Sequence, residues 1–136
     1  MTHEQGNTEL GRRAVACKGW RWLGGMVVLP ESHPRERWVI IDCDGTDAWM
    51  ASPTQSKSWG GAGRDWCDLS DGWVPDLEHP ATLGCLLALV RETHGAVFAW
   101  LVEGSWYVRS ADRMDADISE ADTEAGALVA ALEGAP

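Results

Sequence analysis

The spacing of hydrophobic positions changes several times along the chain, and the first regular stretch has the period of a helix. Thr8 is followed by ELGRRAVACK, in which Leu10, Ala14 and Cys17 recur on one helical face before Gly19 interrupts the pattern. Threonine is a favoured N-cap residue, and glycine commonly terminates helices. The pattern therefore predicts a helix between Thr8 and Gly19.

Two apolar runs that are typical of strands follow this helix. MVVLP at 26–30 and RWVIIDC at 37–43 are separated by a polar, proline-containing segment. DAWMAS at 47–52 resumes the extended pattern after Asp44-Gly45, a pair that strongly favours a hairpin turn. In 37–43 both alternating sets of side chains are apolar, which indicates a strand that is covered on both faces.

The residues from 80 to 94 give the clearest helical signal. A proline stands in the first turn, apolar residues recur through ATLGCLLALVRETH, and a glycine ends the pattern. The helix is apolar nearly all round, which is typical of an enclosed helix. Its small residues Gly84 and Ala88 form a groove, and we expect this groove to contact Gly126 and Ala130 of the last helix.

A hairpin and a final helix complete the regular pattern. AVFAWLV at 96–102 and SWYVRSA at 105–111 flank a Glu-Gly pair, which predicts a tight turn between two strands. The segment SEADTEAGALVAALEG then has a helical apolar stripe, and its N-cap is Asp122 or Thr123.

These elements predict one α+β domain over residues 1–136, in the order α-β-β-β-α-β-β-α. We expect an antiparallel sheet of about five short strands and three helices, with the central helix packed on one face of the sheet. The second face also carries apolar side chains, which the Trp-containing loop, the first helix or another subunit must cover. The pattern therefore favours a homo-oligomer, with a homodimer as the expected form.

The segment 53–79 is the least regular part of the chain. Gly, Ser, Asp and Pro dominate it, yet it contains Trp59, Trp66 and Trp73. Disordered linkers are poor in aromatic residues, so we interpret this segment as a long Trp-containing loop that is ordered at least partly by docking its indoles. Residues 1–7 are polar, and we expect them to be flexible.

Charge narrows the classes of partner. The chain has 11 Lys and Arg against 21 Asp and Glu, a formal net charge of −10, and this acidic balance disfavours direct binding to nucleic acid or to membrane surfaces. The longest dense apolar run is too short to span a bilayer, and the polar N-terminus has no secretory signal. We therefore expect a cytoplasmic protein, in the host cell cytoplasm if the gene belongs to a phage.

Catalytic and metal-binding motifs are absent from the sequence. The cysteines at 17, 43, 67 and 85 have no CxxC spacing, and a reducing compartment favours free thiols. No GxSxG or complete phosphate-loop motif occurs, and DCDGTD lacks the glutamate that a calcium loop requires. We expect a protein that is not an enzyme and that holds no metal and no cofactor.

Tryptophans and cations supply the candidate binding residues. In GRRAVACKGWRW guanidinium and indole groups interleave, and together they can hold a phosphorylated aromatic molecule. The alternative is a core pair of tryptophans with solvated basic neighbours. The candidate ligand-binding or partner-binding residues are Arg12, Arg13, Lys18, Trp20, Arg21, Trp22, Trp59, Arg64, Trp66 and Trp73.

Acidic residues form a second candidate surface. The run DADISEADTE carries carboxylates at 115, 117, 120, 122 and 124, and Asp65, Asp68, Asp71, Asp76 and Glu78 lie in or near the Trp-containing loop. Such an array can imitate a phosphate backbone and occupy the groove of a DNA-binding protein. The alternative is a surface that provides solubility and favourable charge at a helix N-terminus.

Three segments carry a resemblance to known proteins. GRRAVACKGWRW (11–22), PDLEHPATLGCLLALVRETHG (75–95) and the tail EAGALVAALEGAP resemble short uncharacterised proteins of bacteriophages and prophages, which carry ACKGWRW-like and PATLGCLLALVRE-like segments. The resemblance covers about a third of the chain and implies an origin as a small phage accessory gene product. It implies no functional residues.

Small phage accessory proteins without catalytic motifs often act by binding. Our first hypothesis is an anti-defence protein of the anti-CRISPR type, which binds and inhibits a host protein through tryptophan anchors. The alternative is a sponge that sequesters a small nucleotide signal, and a further alternative is a virion or assembly protein.

Overall fold

The computed structural model describes residues 3–52, 64–113 and 116–134. Within these ranges the chain forms three helices, which are α1 (His3–Val15), α2 (Pro80–His94) and α3 (Glu124–Glu133). It also forms eight strands. They are β1 (Val27–Pro30), β2 (Trp38–Asp44), β3 (Asp47–Ala51), β4 (Arg64–Asp68), β5 (Trp73–Pro75), β6 (Val97–Val102), β7 (Ser105–Ser110) and β8 (Asp117–Ala121).

The strands form two antiparallel sheets. One has five strands in the order β4-β3-β2-β1-β5, and the other has three in the order β6-β7-β8. The α+β class, the three helices and the antiparallel pairing confirm the prediction. The strand count differs because β4 and β5 lie inside the expected loop 53–79 and β8 lies inside the acidic run. Each of these strands pairs with a partner that its own sequence does not reveal.

One face of each sheet contributes to a shared core. Residues directly paired across antiparallel strands share a face, so Val28, Ile40 and Met50 point to the same side of the five-stranded sheet, and all three are buried. Val97 and Val108 do the same in the three-stranded sheet, and the side chains from both sheets belong to one buried cluster. A single core is what a single domain requires.

Helix α3 makes the widest set of contacts in this core. It contacts α1, α2 and all three strands of the second sheet, and its Leu128, Val129 and Leu132 are buried. The Thr123 hydroxyl caps it by accepting from the Gly126 N–H at 2.9 Å. The segment is rich in alanine, which lets neighbouring elements approach closely.

Helix α2 begins and ends where its sequence signals predict. The His79 ring accepts from the Ala81 N–H at 3.2 Å, and Gly95, at φ +78°, donates to the Arg91 carbonyl at 2.9 Å. The expected contact of its Gly84 with α3 is wrong, because Gly84 is exposed and a Cβ added there would meet no atom within 4 Å. The buried side of α2 is formed instead by larger residues.

Helix α1 begins at His3, five residues before the expected N-cap, and ends at Val15 rather than near Gly19. It packs beside β5, where a Cβ at Gly11 would lie 3.2 Å from the Val74 Cβ. Gly19 follows the helix and has to be small, because a Cβ there would lie 2.9 Å from Leu132 Cδ1 of α3. The glycine that we read as a helix terminator therefore marks a close contact.

The buried hydroxyl of Thr82 links α2 to the five-stranded sheet. It accepts from the Val27 N–H at 2.9 Å and donates to the Val27 carbonyl at 3.2 Å. We expect Thr82→Val to lower the free energy of unfolding by about 1–3 kcal/mol, because it leaves a buried N–H without an acceptor. Urea denaturation followed by circular dichroism measures the change.

Thr93→Val is the matched control for this prediction. The Thr93 hydroxyl donates only to Val90 within the same helix, and we expect its loss to cost about 0.5 kcal/mol or less. Equal losses of stability in the two variants would contradict the role that we give to Thr82.

Candidate functional site

The arginines of the basic stretch 12–21 are neutralised by carboxylates of the same chain. Arg12 Nε lies 2.6 Å from Glu31 Oε1, Arg13 binds Glu133 through both Nε and Nη2 at 3.1 and 2.6 Å, and Arg21 pairs with Glu92. The hydrogen bond that Arg12 donates to Glu31 raises the pKa of Arg12, and the hydrogen bonds from Arg13 lower the pKa of Glu133. Arg12 also pairs with Glu9, so the three guanidinium groups bind four different acidic residues and do not converge on one ligand.

The groove beside this stretch has mixed charge. It encloses about 280 Å³ and is lined by Arg13, Ala16, Cys17, Lys18, Leu132 and Glu133. Lys18 is exposed, while the Arg13 guanidinium is held by the carboxylate in the same groove. An anion that enters the groove has to displace Glu133 or bind beside it.

Trp20 and Trp22 pack against each other. Their ring centroids are 5.3 Å apart in an edge-to-face arrangement, and Trp22 is only 5% exposed. Trp20 is half-buried, and its Nε1 is buried with no hydrogen-bond partner among the described residues. Core packing is therefore confirmed for Trp22, and the indole N–H of Trp20 does not face an open ligand site.

The remaining candidate residues are dispersed. Trp59 lies outside the described residues, and Arg64 begins β4, where it is paired with Ala51. Trp66 and Trp73 lie on β4 and β5, which are opposite edges of the five-stranded sheet. Trp73 is half-buried against Trp38 at 6.3 Å between ring centroids. Trp66 and Trp73, which we expected in one long loop, thus belong to strands at two ends of the sheet.

Trp66 forms an indole pair with a tryptophan that we did not select. It lies directly opposite Trp49 of β3, with ring centroids 5.6 Å apart and an interplanar angle of 47°. Met50 and Ala48 alternate with Trp49 and are buried, so the indole pair lies on the sheet face that points away from the core. Trp66 is 56% exposed, the largest exposed fraction among the large hydrophobic side chains of the described residues.

Four carboxylates share this face with the two indoles. Asp42 is paired with Trp49, and Asp47 is paired with both Asp44 and Asp68, which places all four on the side of Trp49 and Trp66. We call this surface the indole–carboxylate face. It consists of Asp42, Asp44, Asp47, Trp49, Trp66 and Asp68.

The carboxylates of this face are exposed and carry unneutralised charge. None of the four forms an ion pair with another described residue, and a shallow groove of about 350 Å³ runs between Asp44, Asp47 and Trp66. The Ser70 N–H donates to Asp68 Oδ1 at 2.9 Å and lowers the pKa of Asp68. Four negative charges therefore surround an indole pair at neutral pH.

Several other acidic residues that we assigned to the candidate acidic surface have structural partners. Asp76 is only 6% exposed and accepts from Arg37 Nε at 2.9 Å. Asp117 belongs to β8 and accepts from Arg109 Nε at 2.7 Å. These two carboxylates neutralise arginines, so they do not contribute free charge to an acidic surface.

The sequence contained one local signal for the indole–carboxylate face. In DAWMAS strict alternation puts Asp47 and Trp49 on one side of a strand and Ala48 and Met50 on the other. The sequence did not show that Trp66 lies beside Trp49, because the register of β3 with β4 depends on long-range pairing.

Other features of the described chain do not form a recognisable reactive centre. The four cysteines are half-buried and form no disulfide, and burial raises the pKa of Cys17, Cys43 and Cys85, the reverse of the shift that activates a nucleophilic thiol. No group of three metal-ligating side chains occurs in the ranges that the structure covers, and no helix there is long and apolar enough to cross a membrane.

Comparison with known proteins adds no relative. No family model, no curated protein and no solved structure matches the chain.

Trp22 and Trp66 should respond differently to truncation. We expect Trp22→Ala to lower the free energy of unfolding by about 3–5 kcal/mol, because it opens a cavity in the core. Trp66→Ala should cost about 1 kcal/mol or less, because it removes mainly an exposed ring and its contact with Trp49. Urea denaturation of both variants, with iodide quenching of the remaining tryptophans, measures the difference. A loss of stability as large for Trp66→Ala as for Trp22→Ala would contradict this assignment.

Proposed function

We propose that this chain is a small non-enzymatic accessory protein of phage origin, and that it binds and inhibits a host protein as part of an anti-defence function. The indole–carboxylate face makes the contact, and its partner is a protein with a basic surface, of the kind that binds nucleic acid. The observation that carries the proposal is the Trp49–Trp66 pair at an end of the sheet face that no described helix covers, with Trp66 more than half exposed.

The composition of this face favours protein binding. Tryptophan is the residue most enriched among interface anchors, because one ring buries a large area at low entropic cost. An indole that stays more than half exposed contributes less to folding than a buried one. Two adjacent indoles on rigid strands form a preorganised anchor, which avoids the cost of ordering a loop on binding.

Charge selects the class of partner. Arg12, Arg13, Arg21, Arg37 and Arg109 are all held in ion pairs within the chain. The carboxylates around Trp49 and Trp66 have no such partners among the described residues, so they present a negative field to an approaching molecule. Lysine and arginine side chains complement this field, and arginine can also stack on an indole. A groove that normally holds nucleic acid offers such side chains.

Affinity capture followed by direct binding tests the proposal. Parent and Trp66→Ala chains are exposed in parallel to a bacterial host lysate, and a protein that is lost with the variant is purified. We expect Trp66→Ala to raise the Kd for that protein by about 30-fold or more, which corresponds to about 2 kcal/mol. Trp66→Phe keeps an aromatic side chain and should lose less. Inhibition is measured as release of nucleic acid from the purified partner.

The charge of the face is tested separately. Asp44→Asn combined with Asp47→Asn should weaken binding and reduce its dependence on salt, because it removes two of the four carboxylates. Asp112→Asn combined with Asp122→Asn removes two exposed carboxylates elsewhere and is the matched control. An unchanged Kd in Trp66→Ala would refute the proposal. So would a nucleotide released on denaturation of the purified chain, which is the result that the sponge hypothesis predicts.

A further inference from the structure

The free edge of β6 differs from every other sheet edge in the described chain. The edge strand β4 has the sequence RDWCD and β8 has DISEA, so both carry charges, and β5 is three residues long and ends in Pro75. Charge, shortness and proline are the usual means by which a protein protects an edge strand from pairing. β6, with the sequence VFAWLV, has none of them.

The backbone of β6 presents hydrogen-bonding groups on its free side. The Ala111 N–H donates to the Ala96 carbonyl at 2.8 Å, in the register that pairs Phe98 with Arg109 and Trp100 with Tyr107. In an antiparallel ladder these groups alternate in direction. Phe98, Trp100 and Val102 therefore direct their backbone groups towards β7, whereas Val97, Ala99 and Leu101 direct theirs towards the free edge.

Two side chains of β6 are also exposed. Leu101 is 55% exposed and Trp100 is 39% exposed, and they lie on opposite faces of the strand. Phe98 packs against Trp100 with 6.2 Å between ring centroids, and the Arg109 guanidinium lies 4.9 Å from the Trp100 ring centroid. The aromatic side chains are thus held in place at an edge where apolar surface still faces water.

We propose that β6 pairs in antiparallel orientation with β6 of a second copy of this chain, so that the two three-stranded sheets form one continuous six-stranded sheet. The two-fold axis passes beside Trp100. In this register Ala99 of one copy lies opposite Leu101 of the other, and the two Trp100 side chains lie opposite each other. The inference does not depend on the proposed function, since it concerns the other sheet.

Existing contacts select this register. The Val97 carbonyl, one of the groups at the free edge, already accepts from Arg91 Nε at 3.2 Å. A two-fold axis beside Trp100 uses only Ala99 and Leu101 for hydrogen bonds across the interface and leaves the bond from Arg91 intact. An axis beside Ala99 would instead place Leu101 of the second copy against Val97 and would crowd the arginine.

Charge complementarity favours a second copy as the occupant. The same register puts Glu103 of the second copy opposite Val97, and therefore next to Arg91. Both side chains are exposed, and neither forms an ion pair with another residue that the structure describes. The two-fold axis produces this Arg91–Glu103 pair twice. Two chains that each have a net charge of −10 repel each other. An interface at β6 reduces this repulsion, because the strand is uncharged and is flanked by the two Arg91–Glu103 pairs.

Sedimentation velocity over a concentration series tests the interface. We expect the parent chain to form a dimer, and Leu101→Lys to raise the dimer dissociation constant by about tenfold or more, because a lysine on an edge strand opposes pairing. Ala116→Lys adds the same charge beside β8, at the opposite edge of the same sheet, and should leave the dimer intact. Circular dichroism verifies that both variants keep the fold.

Charge exchange tests the register even if Leu101→Lys fails to fold. Glu103→Arg alone places two cations opposite each other and should weaken the dimer several-fold, whereas Glu103→Arg combined with Arg91→Glu should restore it. A parent chain that stays monomeric at every concentration would overturn the proposal. A dimer that neither Leu101→Lys nor Glu103→Arg weakens would overturn it as well.

Discussion

One buried cluster has to serve two sheets and three helices, and this limit determines which surfaces remain open. The core takes Val28, Ile40 and Met50 from one sheet and Val97 and Val108 from the other. It therefore covers one face of each sheet. On the far face of the five-stranded sheet Val27, Leu29 and Val74 are buried as well, whereas the end formed by β3 and β4 stays exposed at Trp66. On the far faces of the two sheets the aromatic residues lie in pairs, Trp49 with Trp66 and Phe98 with Trp100. Pairing reduces the area of each ring in water without removing it, and the exposure that remains is available for binding.

The distribution of surface charge follows from the way in which arginines connect the elements of the fold. Arg13 ties α1 to Glu133 of α3, Arg21 ties the segment after α1 to Glu92 of α2, and Arg37 ties the start of β2 to Asp76. The pairs of Arg13 and Arg21 are exposed, and such pairs contribute little to stability, typically about 0–1 kcal/mol each. Their larger effect is on the surface, because they consume cations. The acidic excess of the chain is thereby concentrated on groups that no arginine reaches, and the indole–carboxylate face is the place where such groups adjoin an exposed indole.

Elements with local signals were predictable and elements that depend on distant partners were not. The ends of α2 are fixed by a proline, a capping histidine and a terminal glycine, and the β6–β7 hairpin by the turn between two apolar runs. The sequence of β8 is acidic and carries no strand signal of its own, and its pairing depends on β7, where Arg109 and Tyr107 contact Asp117 and Glu120. The sequence did not reveal the indole–carboxylate face for the same reason. Trp20 and Trp22 are separated by one residue and pack against each other, whereas Trp49 and Trp66 are distant in sequence and are brought together by strand register.

The two proposed surfaces make different physical demands, and the fold keeps them apart. Strand addition at β6 needs an uncharged edge with free backbone groups, and a charge placed there would prevent it. Docking of a basic protein needs negative charge. The same charge on an edge strand such as β4 makes that edge a poor site for pairing with a second copy. The indole–carboxylate face belongs to β2, β3 and β4 of the five-stranded sheet, while β6 belongs to the other sheet. Each surface can therefore be occupied without using residues of the other. A dimer formed through β6 would carry two copies of the indole–carboxylate face. Its affinity for a partner with repeated sites would then rise through effective concentration rather than through new contacts.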